Sequence, residues 1–115
     1  MTTANDVIAE IQKSKGEAYA HKGVKLVQLP RLMSTVFQFD LATGGGFPLG
    51  RVSEVYGPKS SGKSNLVLLT IAEYQRTHPD KQVVYVDVEY ALDPVWSQRL
   101  GVNIDELIIA KPDFA

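Results

Sequence analysis

The sequence contains no cysteine and only two histidines, and both scarcities restrict its chemistry. Without cysteine there are no disulfides, no thiolate nucleophile and no cysteine-based zinc site. Two separated histidines also make a poor metal site. No stretch approaches the roughly 18 consecutive apolar residues that indicate a membrane span. The polar, charged N-terminus does not predict a secretory signal, so the expected compartment is the cytoplasm.

The charge is nearly balanced, with twelve Lys and Arg against thirteen Asp and Glu. A net charge of -1 excludes a polybasic nucleic-acid tail and an acidic disordered segment, although a local basic patch stays open. Of the 115 residues, 44% are hydrophobic and 22% are charged. These proportions are typical of one small globular domain.

The N-terminal third predicts a helix followed by a short strand. Residues 6–19 have helical periodicity, with Thr3 or Asn5 as the cap. Residues 24–29 alternate like a strand that ends at Pro30. Ser34 is the expected N-cap of a further short helix. A loop at residues 43–50 contains four glycines and predicts unusual backbone angles.

Beyond Gly50 the pattern alternates between strands and helices, which indicates an α/β fold with parallel strands. The apolar run at 83–88 is typical of a strand buried on both faces. The predicted elements are a strand at 52–56, a tight loop at 57–62, a helix at 63–76, a strand at 83–88, a short helix at 93–100 and a strand at 107–110.

The tight loop and the start of its helix match the phosphate-loop pattern G-x-x-x-x-G-K-[ST]. The matching residues are Gly57, Pro58, Lys59, Ser60, Ser61, Gly62, Lys63 and Ser64. The glycines allow N–H groups to turn toward a phosphate, and the helix N-terminus adds positive potential. Lys63 would bridge terminal phosphate oxygens, and Ser64 would take a Mg²⁺ position. A Gly/Ser turn without this function explains neither the lysine nor the serine.

The segment that follows the apolar run contains three residues, Glu89, Asp93 and Trp96, each of which has both a functional and a structural interpretation. Glu89 follows the strand at its carboxyl end, where it would activate a water or would simply be a solvated or helix-capping residue. Asp93 precedes Pro94, and its position favours an N-cap. Trp96, the only tryptophan, would pack in the core or offer a flat platform for a base.

Residues 34–113 resemble the bacterial RecA recombinases and their phage-encoded relatives. The resemblance lies in the stretches FDLATGGGFPLGRVSEVYGPKSSGKS and VVYVDVEYALDPVWSQRLGVNIDELIIAKPD. It implies a P-loop NTPase with a RecA-like parallel-sheet core over residues 34–115. Residues 1–33 would form a helix–strand arm for oligomerisation. The implied function is ATP-dependent filament formation on single-stranded DNA, with homologous pairing and strand exchange in recombination and repair.

The resemblance also implies roles for individual residues. Lys63 and Ser64 would hold the ATP phosphates and Mg²⁺, and the backbone of residues 59–63 would cradle the phosphates. Glu89 would be the catalytic carboxylate that activates water. Asp93 would lie near the adenine amino group, and Trp96 would replace the tyrosine that stacks on adenine. Asn65 replaces a second hydroxyl residue in the nucleotide-binding stretch, which leaves its contact with the α-phosphate open.

The family core, by the same resemblance, continues beyond residue 115. A second apolar strand ending in a Mg²⁺-linked Asp and two DNA-binding loops have no counterpart here, so we expect an N-terminal part that is incomplete for turnover. Two alternatives remain at this stage. One is another P-loop enzyme, such as a kinase or a helicase-type motor, and the other is a non-catalytic fragment that binds filaments.

Overall fold

The computed structural model describes residues 1–16, 20, 22–23 and 28–113. It contains four helices, one 3-10 helix and two two-stranded sheets within those ranges. The helices are α1 (Ala4–Lys15), α2 (Phe37–Thr43), α3 (Lys63–Thr77) and α4 (Pro94–Arg99), and the 3-10 helix is Ile104–Glu106. The strands are β1 (Arg31–Leu32), β2 (Phe47–Pro48), β3 (Val83–Val86) and β4 (Leu107–Ala110).

Helix α1 begins two residues earlier than predicted, because Thr3 caps it in a reciprocal arrangement. The Thr3 hydroxyl accepts from the Asp6 N–H at 3.3 Å, and the Thr3 N–H donates to Asp6 Oδ2 at 2.8 Å. These hydrogen bonds lower the pKa of the Asp6 carboxyl. No residue of α1 is buried. Residues 17–19 of the predicted helix and 24–27 of the predicted strand lie outside the described residues.

Ser34 is not the N-cap of α2, contrary to the prediction, because the N-cap lies two residues later, at Val36. Ser34 is instead fully buried, and its hydroxyl donates to Asp40 Oδ1 at 2.8 Å. The same carboxylate accepts the N–H groups of Ser34 and Thr35 at 2.8 and 3.0 Å. The side chain of Asp40 therefore ties the segment before α2 to its first turn.

The four-glycine loop forms a compact turn that pairs β2 with β1 in antiparallel register. All four glycines have positive φ angles, from 69° to 116°, as their number in this loop predicts. Gly46 is buried directly against β1, and a Cβ built on it would lie 2.1 Å from the Leu32 carbonyl oxygen. Arg31 holds the turn from outside by donating from Nη1 to the Gly46 carbonyl at 2.9 Å.

Residues 52–56 were predicted to form a strand, and this prediction is wrong for the structure. The segment has no strand assignment, and the side chains of Val52 and Tyr56 are exposed. A strand requires a neighbouring backbone with which to form a hydrogen-bonded ladder. None of the strands in the described part of the chain pairs with this segment. It therefore leads into the phosphate-loop motif as extended, irregular chain.

The hydrophobic core lies between α3 and the parallel pair β3–β4, as the alternating pattern predicted for these elements. Its buried apolar residues are Leu68, Ile71, Val102 and Leu107. The expectation that β3 is buried on both faces is wrong, since Val84 and Val86 are each 57% exposed. Alternate side chains of β3 point to opposite faces, and α3 covers only the face of Val83 and Tyr85.

Helix α4 and strand β4 follow their predicted positions closely. Asp93 caps α4 by accepting the Trp96 N–H at 3.1 Å, and Pro94 takes the first helical position. Gly101 follows with a φ of 95° before the chain enters the 3-10 helix. Among the described residues, no helix has the length and apolar character needed to cross a membrane.

Candidate functional site

The predicted phosphate-loop motif, residues 57–64, turns tightly and ends in the first two residues of α3. The Ser61 N–H donates to the Pro58 carbonyl at 3.3 Å, which closes the turn. Ser60 and Gly62 have φ angles of 60° and 91°, so the chain reverses through two left-handed residues. Only glycine adopts this region without steric cost, and Ser60 is one of three non-glycine residues of the described chain that do so.

The side chain of Lys63 folds back across this loop. Its Nζ donates to the carbonyl oxygens of Gly57 at 2.8 Å and Pro58 at 2.7 Å. The loop therefore curves around the ammonium group and supplies neutral acceptors for it. The ammonium would bind ionised phosphate oxygens more strongly than these neutral carbonyl oxygens, since hydrogen bonds between ionised groups are roughly twice as strong as neutral ones.

The N-terminus of α3 leaves backbone donors directed at the same loop. No side chain caps the helix at Gly62, and its first backbone bond runs from the Leu66 N–H to the Gly62 carbonyl at 2.9 Å. Within the described residues, the N–H groups of Lys63, Ser64 and Asn65 have no acceptor. Such groups, at the positive end of the helix dipole, form an anion-binding position.

The loop after β3, residues 87–93, is organised by a carboxylate that sequence reasoning missed. Asp87 is buried, and its Oδ1 and Oδ2 accept the N–H groups of Ala91 at 3.1 Å and Leu92 at 3.0 Å. Its own N–H donates to the Ala110 carbonyl of β4 at 2.9 Å. Asp87 thus fixes the loop that carries Glu89. An acidic residue inside the apolar run VVYVDV was the available signal.

The geometry of this loop also brings acidic groups toward Tyr85. Burial raises the pKa of the Tyr85 hydroxyl, and the negative charges of Asp87 and Glu89 raise it further. Tyr90, directly after Glu89, has a φ of 56°, and its hydroxyl donates to the Pro112 carbonyl at 3.2 Å. The chain therefore turns sharply at Tyr90 and leaves Glu89 exposed at the carboxyl end of β3.

Two adjoining cavities bring most of the predicted site residues together. The first, named here the acidic cavity, has a volume of about 280 Å³ and lies between the start of α3 and the loop after β3. Of the predicted residues, Ser64, Asn65, Glu89, Asp93 and Trp96 line it. The second, the loop cavity, has a volume of about 250 Å³ and is lined by Ser60, Ser61, Gly62, Lys63, Ser64 and Asn65. Gly57, Pro58 and Lys59 line neither cavity.

Trp96 lies at the rim of the acidic cavity and is not part of the buried core. Its side chain is 42% exposed, and its Nε1 donates to Asn65 Oδ1 at 2.9 Å. This hydrogen bond joins the first turn of α4 to the first turn of α3. This partly exposed ring lines the cavity, which disfavours the core interpretation, and the platform interpretation stays a prediction.

Replacing Asp87 with asparagine should destabilise the chain around the loop after β3. The amide keeps one acceptor but presents N–H groups to a backbone donor, so one of the two hydrogen bonds is lost. We expect the free energy of unfolding to fall by about 1–3 kcal/mol, the range for leaving a buried hydrogen-bonding group unsatisfied. Amide hydrogen exchange at Ala91 and Leu92 should accelerate. Asp105→Asn, a change at an exposed carboxylate, is the matched control, and equal effects of the two would contradict the assignment.

Comparison with known proteins identifies the family. The family model described as RecA N-terminal domain matches residues 2–115, so the chain belongs to this family. The protein named Protein RecA from Brevibacillus brevis is 46% identical over 105 residues, which cover 90% of this chain and 29% of that protein. Its namesake from Gloeobacter violaceus is 45% identical over 109 residues, which cover 93% of this chain and 29% of that protein.

A shorter match has higher identity. Protein RecA from Colwellia psychrerythraea is 57% identical over 75 residues, which cover 64% of this chain and 21% of that protein. The chain thus spans less than a third of the length of these curated relatives. The predicted membership in the RecA family is confirmed, and this chain corresponds to an N-terminal region of it.

Proposed function

We propose that this chain is the ATP-binding part of a RecA-type recombinase, a DNA-dependent ATPase of homologous recombination and repair. The observation that carries the proposal is the acidic cavity. It joins the end of the predicted phosphate loop to the carboxylates and the tryptophan that follow β3. A nucleoside triphosphate has the matching chemistry, since it combines a polyanion with an aromatic base.

The phosphates would lie in the loop cavity. There, the backbone N–H groups at the start of α3 would donate to phosphate oxygens. Lys63 would exchange the carbonyl oxygens of Gly57 and Pro58 for the terminal phosphates, because an ionised acceptor binds an ammonium more strongly. The Gly/Ser composition of the loop allows the backbone to approach closely.

Mg²⁺, when bound, neutralises charge that develops on the β- and γ-phosphates. Ser64, which lines both cavities, would hold it through its hydroxyl. The described ranges contain no group of three or more His, Cys, Asp or Glu side chains placed to hold a metal ion. The donor set therefore suits a cation that arrives with the nucleotide better than a resident ion.

Glu89 would act on the attacking water, and Asp93 and Trp96 would bind the adenine base. Glu89 would orient a water for attack on the γ-phosphate and accept its proton, a role open to an exposed carboxylate at this edge of the sheet. Asp93 would use the oxygen that does not cap α4 to accept from the adenine amino group. The exposed ring of Trp96 would stack on the base.

Filament formation on single-stranded DNA and self-association belong to the same proposal. Helix α1 supports it, because Val7 and Ile11 are exposed and no residue of α1 is buried against the described chain. An apolar stripe of this kind is typical of a helix that packs on a partner. Family membership favours the recombinase over a kinase or a helicase-type motor.

The direct test is the loss of the Lys63 ammonium. We expect Lys63→Ala to weaken binding of ATP with Mg²⁺ at least about tenfold, because a charge-assisted phosphate contact is lost. Titration calorimetry on the chain measures this. Lys63→Arg should not restore full affinity, since a planar guanidinium differs in shape from an ammonium.

Lys59→Ala is the matched control, since it removes a lysine of the same loop that lines neither cavity. It should change the affinity by less than about threefold, within the small effect expected of an exposed charge. Equal binding by the Lys63→Ala variant and the parent would refute the phosphate-loop role.

A further inference from the structure

The hydrogen bond between Asn65 and Trp96 determines which way the side-chain amide of Asn65 faces. Asn65 is in the first turn of α3 and Trp96 in the first turn of α4, 31 positions apart. The indole Nε1–H only donates, so the atom that Asn65 presents at 2.9 Å is its carbonyl oxygen Oδ1. The amide Nδ2, with its two N–H donors, is therefore turned away from the indole.

Among the described residues, the hydrogen bond of the Asn65 side chain is made by Oδ1, and the two donors of Nδ2 have no acceptor. Asn65 is also one of two residues that line both the acidic cavity and the loop cavity. Its side chain thus stands at the junction of the two, with its oxygen used on the Trp96 side. An amide N–H pair at such a junction suits a phosphate oxygen, which is a strong acceptor.

We propose that Asn65 couples the two halves of the nucleotide site, its Oδ1 holding the Trp96 ring for the base and its Nδ2 donating to a phosphate oxygen. The inference rests on the proposed function, because it presumes a nucleoside triphosphate in these cavities. Its consequence is that base binding and phosphate binding depend on one side chain. Loss of either end of the Asn65 amide should then weaken the contribution of the other.

A double-mutant cycle in titration calorimetry, with the full chain and Mg²⁺, tests this. Trp96→Phe keeps an aromatic face but removes the N–H, and Asn65→Leu keeps the size but removes the donors and the acceptor. Each should weaken ATP binding by about three- to tenfold, the effect of one neutral hydrogen bond. The double variant should lose at least about threefold less than the product of the two single losses, which is the signature of direct coupling.

Inorganic triphosphate has no base, so its affinity reports on the phosphate contact of the Asn65 amide separately from the base contact of Trp96. Asn65→Leu should weaken triphosphate binding about three- to tenfold, since a phosphate donor is lost. Trp96→Phe should weaken it less, by under about threefold, since the Nδ2 donors remain and only the bond that orients them is lost. Asn65→Asp keeps the acceptor for Trp96 but places a negative charge toward the phosphates, so it should weaken triphosphate binding more than Asn65→Leu. Gln98→Leu, on an exposed position of α4, is the control and should change neither affinity.

The outcomes distinguish this inference from the proposed function. Independent losses in the cycle, or unchanged triphosphate binding in both Asn65 variants, would overturn the coupling while leaving ATP binding by the parent in place. A parent chain that binds neither ATP nor triphosphate would remove the proposed function and the inference with it. Should Asn65→Leu fail to fold, as judged by circular dichroism, Asn65→Asp carries the triphosphate test alone.

Discussion

Replacing Glu89 with glutamine is expected to slow ATP hydrolysis by about a hundredfold or more while ATP still binds, the usual effect of losing a general base. Glutamine keeps the shape of the side chain but cannot accept a proton from water. Glu89 lines the acidic cavity and forms no hydrogen bond within the described residues, so its loss should not disturb the loop. The loop is held by Asp87 instead.

The measurement needs a polypeptide that supplies the remaining length of the family. A chimera in which this chain replaces the matching stretch of the Brevibacillus brevis relative meets that need. Single-turnover hydrolysis and calorimetric ATP binding are measured on the chimera with and without single-stranded DNA. Glu106→Gln, at another exposed carboxylate, is the matched control. Hydrolysis that falls only in proportion to bound ATP would make Glu89 a binding or structural residue and not a base.

Elements with strong local signals were predictable from the sequence. Asp93-Pro94 predicted the start of α4, because a carboxylate cap and a proline at the first helical position are properties of adjacent residues. Lys63 as the first residue of α3 followed equally from the phosphate-loop pattern. The glycines of residues 43–50 predicted unusual backbone angles for a similarly local reason, and all four have positive φ.

Features that depend on distant neighbours were not predictable in this way. Residues 52–56 have the composition of a strand, but a ladder depends on which backbone lies beside them. The exposure of Val84 and Val86 depends on what covers the second face of the sheet, and an apolar run alone does not show that. Ser34 had the residue type of a cap, but the carboxylate of Asp40 engages it as a donor.

The candidate site likewise contains residues that local sequence predicts and contacts that depend on distant neighbours. The positions of Lys63, Ser64 and Glu89 came from a contiguous motif and from the end of a predicted strand. The Asn65–Trp96 bond and the role of Asp87 came only from the structure, since both depend on how α3, α4 and the loop after β3 pack together. Sequence identifies the chemistry of such a site more readily than the contacts that orient it.

A second large effect is expected at Gly46, where alanine should lower the free energy of unfolding by about 2–5 kcal/mol. Two costs combine there. Its φ of 92° is unfavourable for any residue with a Cβ, at roughly 1–2 kcal/mol. In addition, the new Cβ would lie 2.1 Å from the Leu32 carbonyl oxygen and 2.9 Å from the Met33 Cα, both of them backbone atoms. Backbone cannot move aside as a flexible side chain can, so β1 and β2 must separate.

Gly50→Ala isolates the first of these costs. Gly50 also has a positive φ, of 69°, but a Cβ there meets nothing within 4 Å. Urea unfolding followed by circular dichroism should therefore give a loss of about 1–2 kcal/mol for Gly50→Ala and a clearly larger one for Gly46→Ala. Equal losses would mean that the close approach of Gly46 to β1 does not determine the stability of this turn. The larger loss would show that the third glycine of Gly44-Gly45-Gly46 is required by contact, beyond any requirement for backbone freedom.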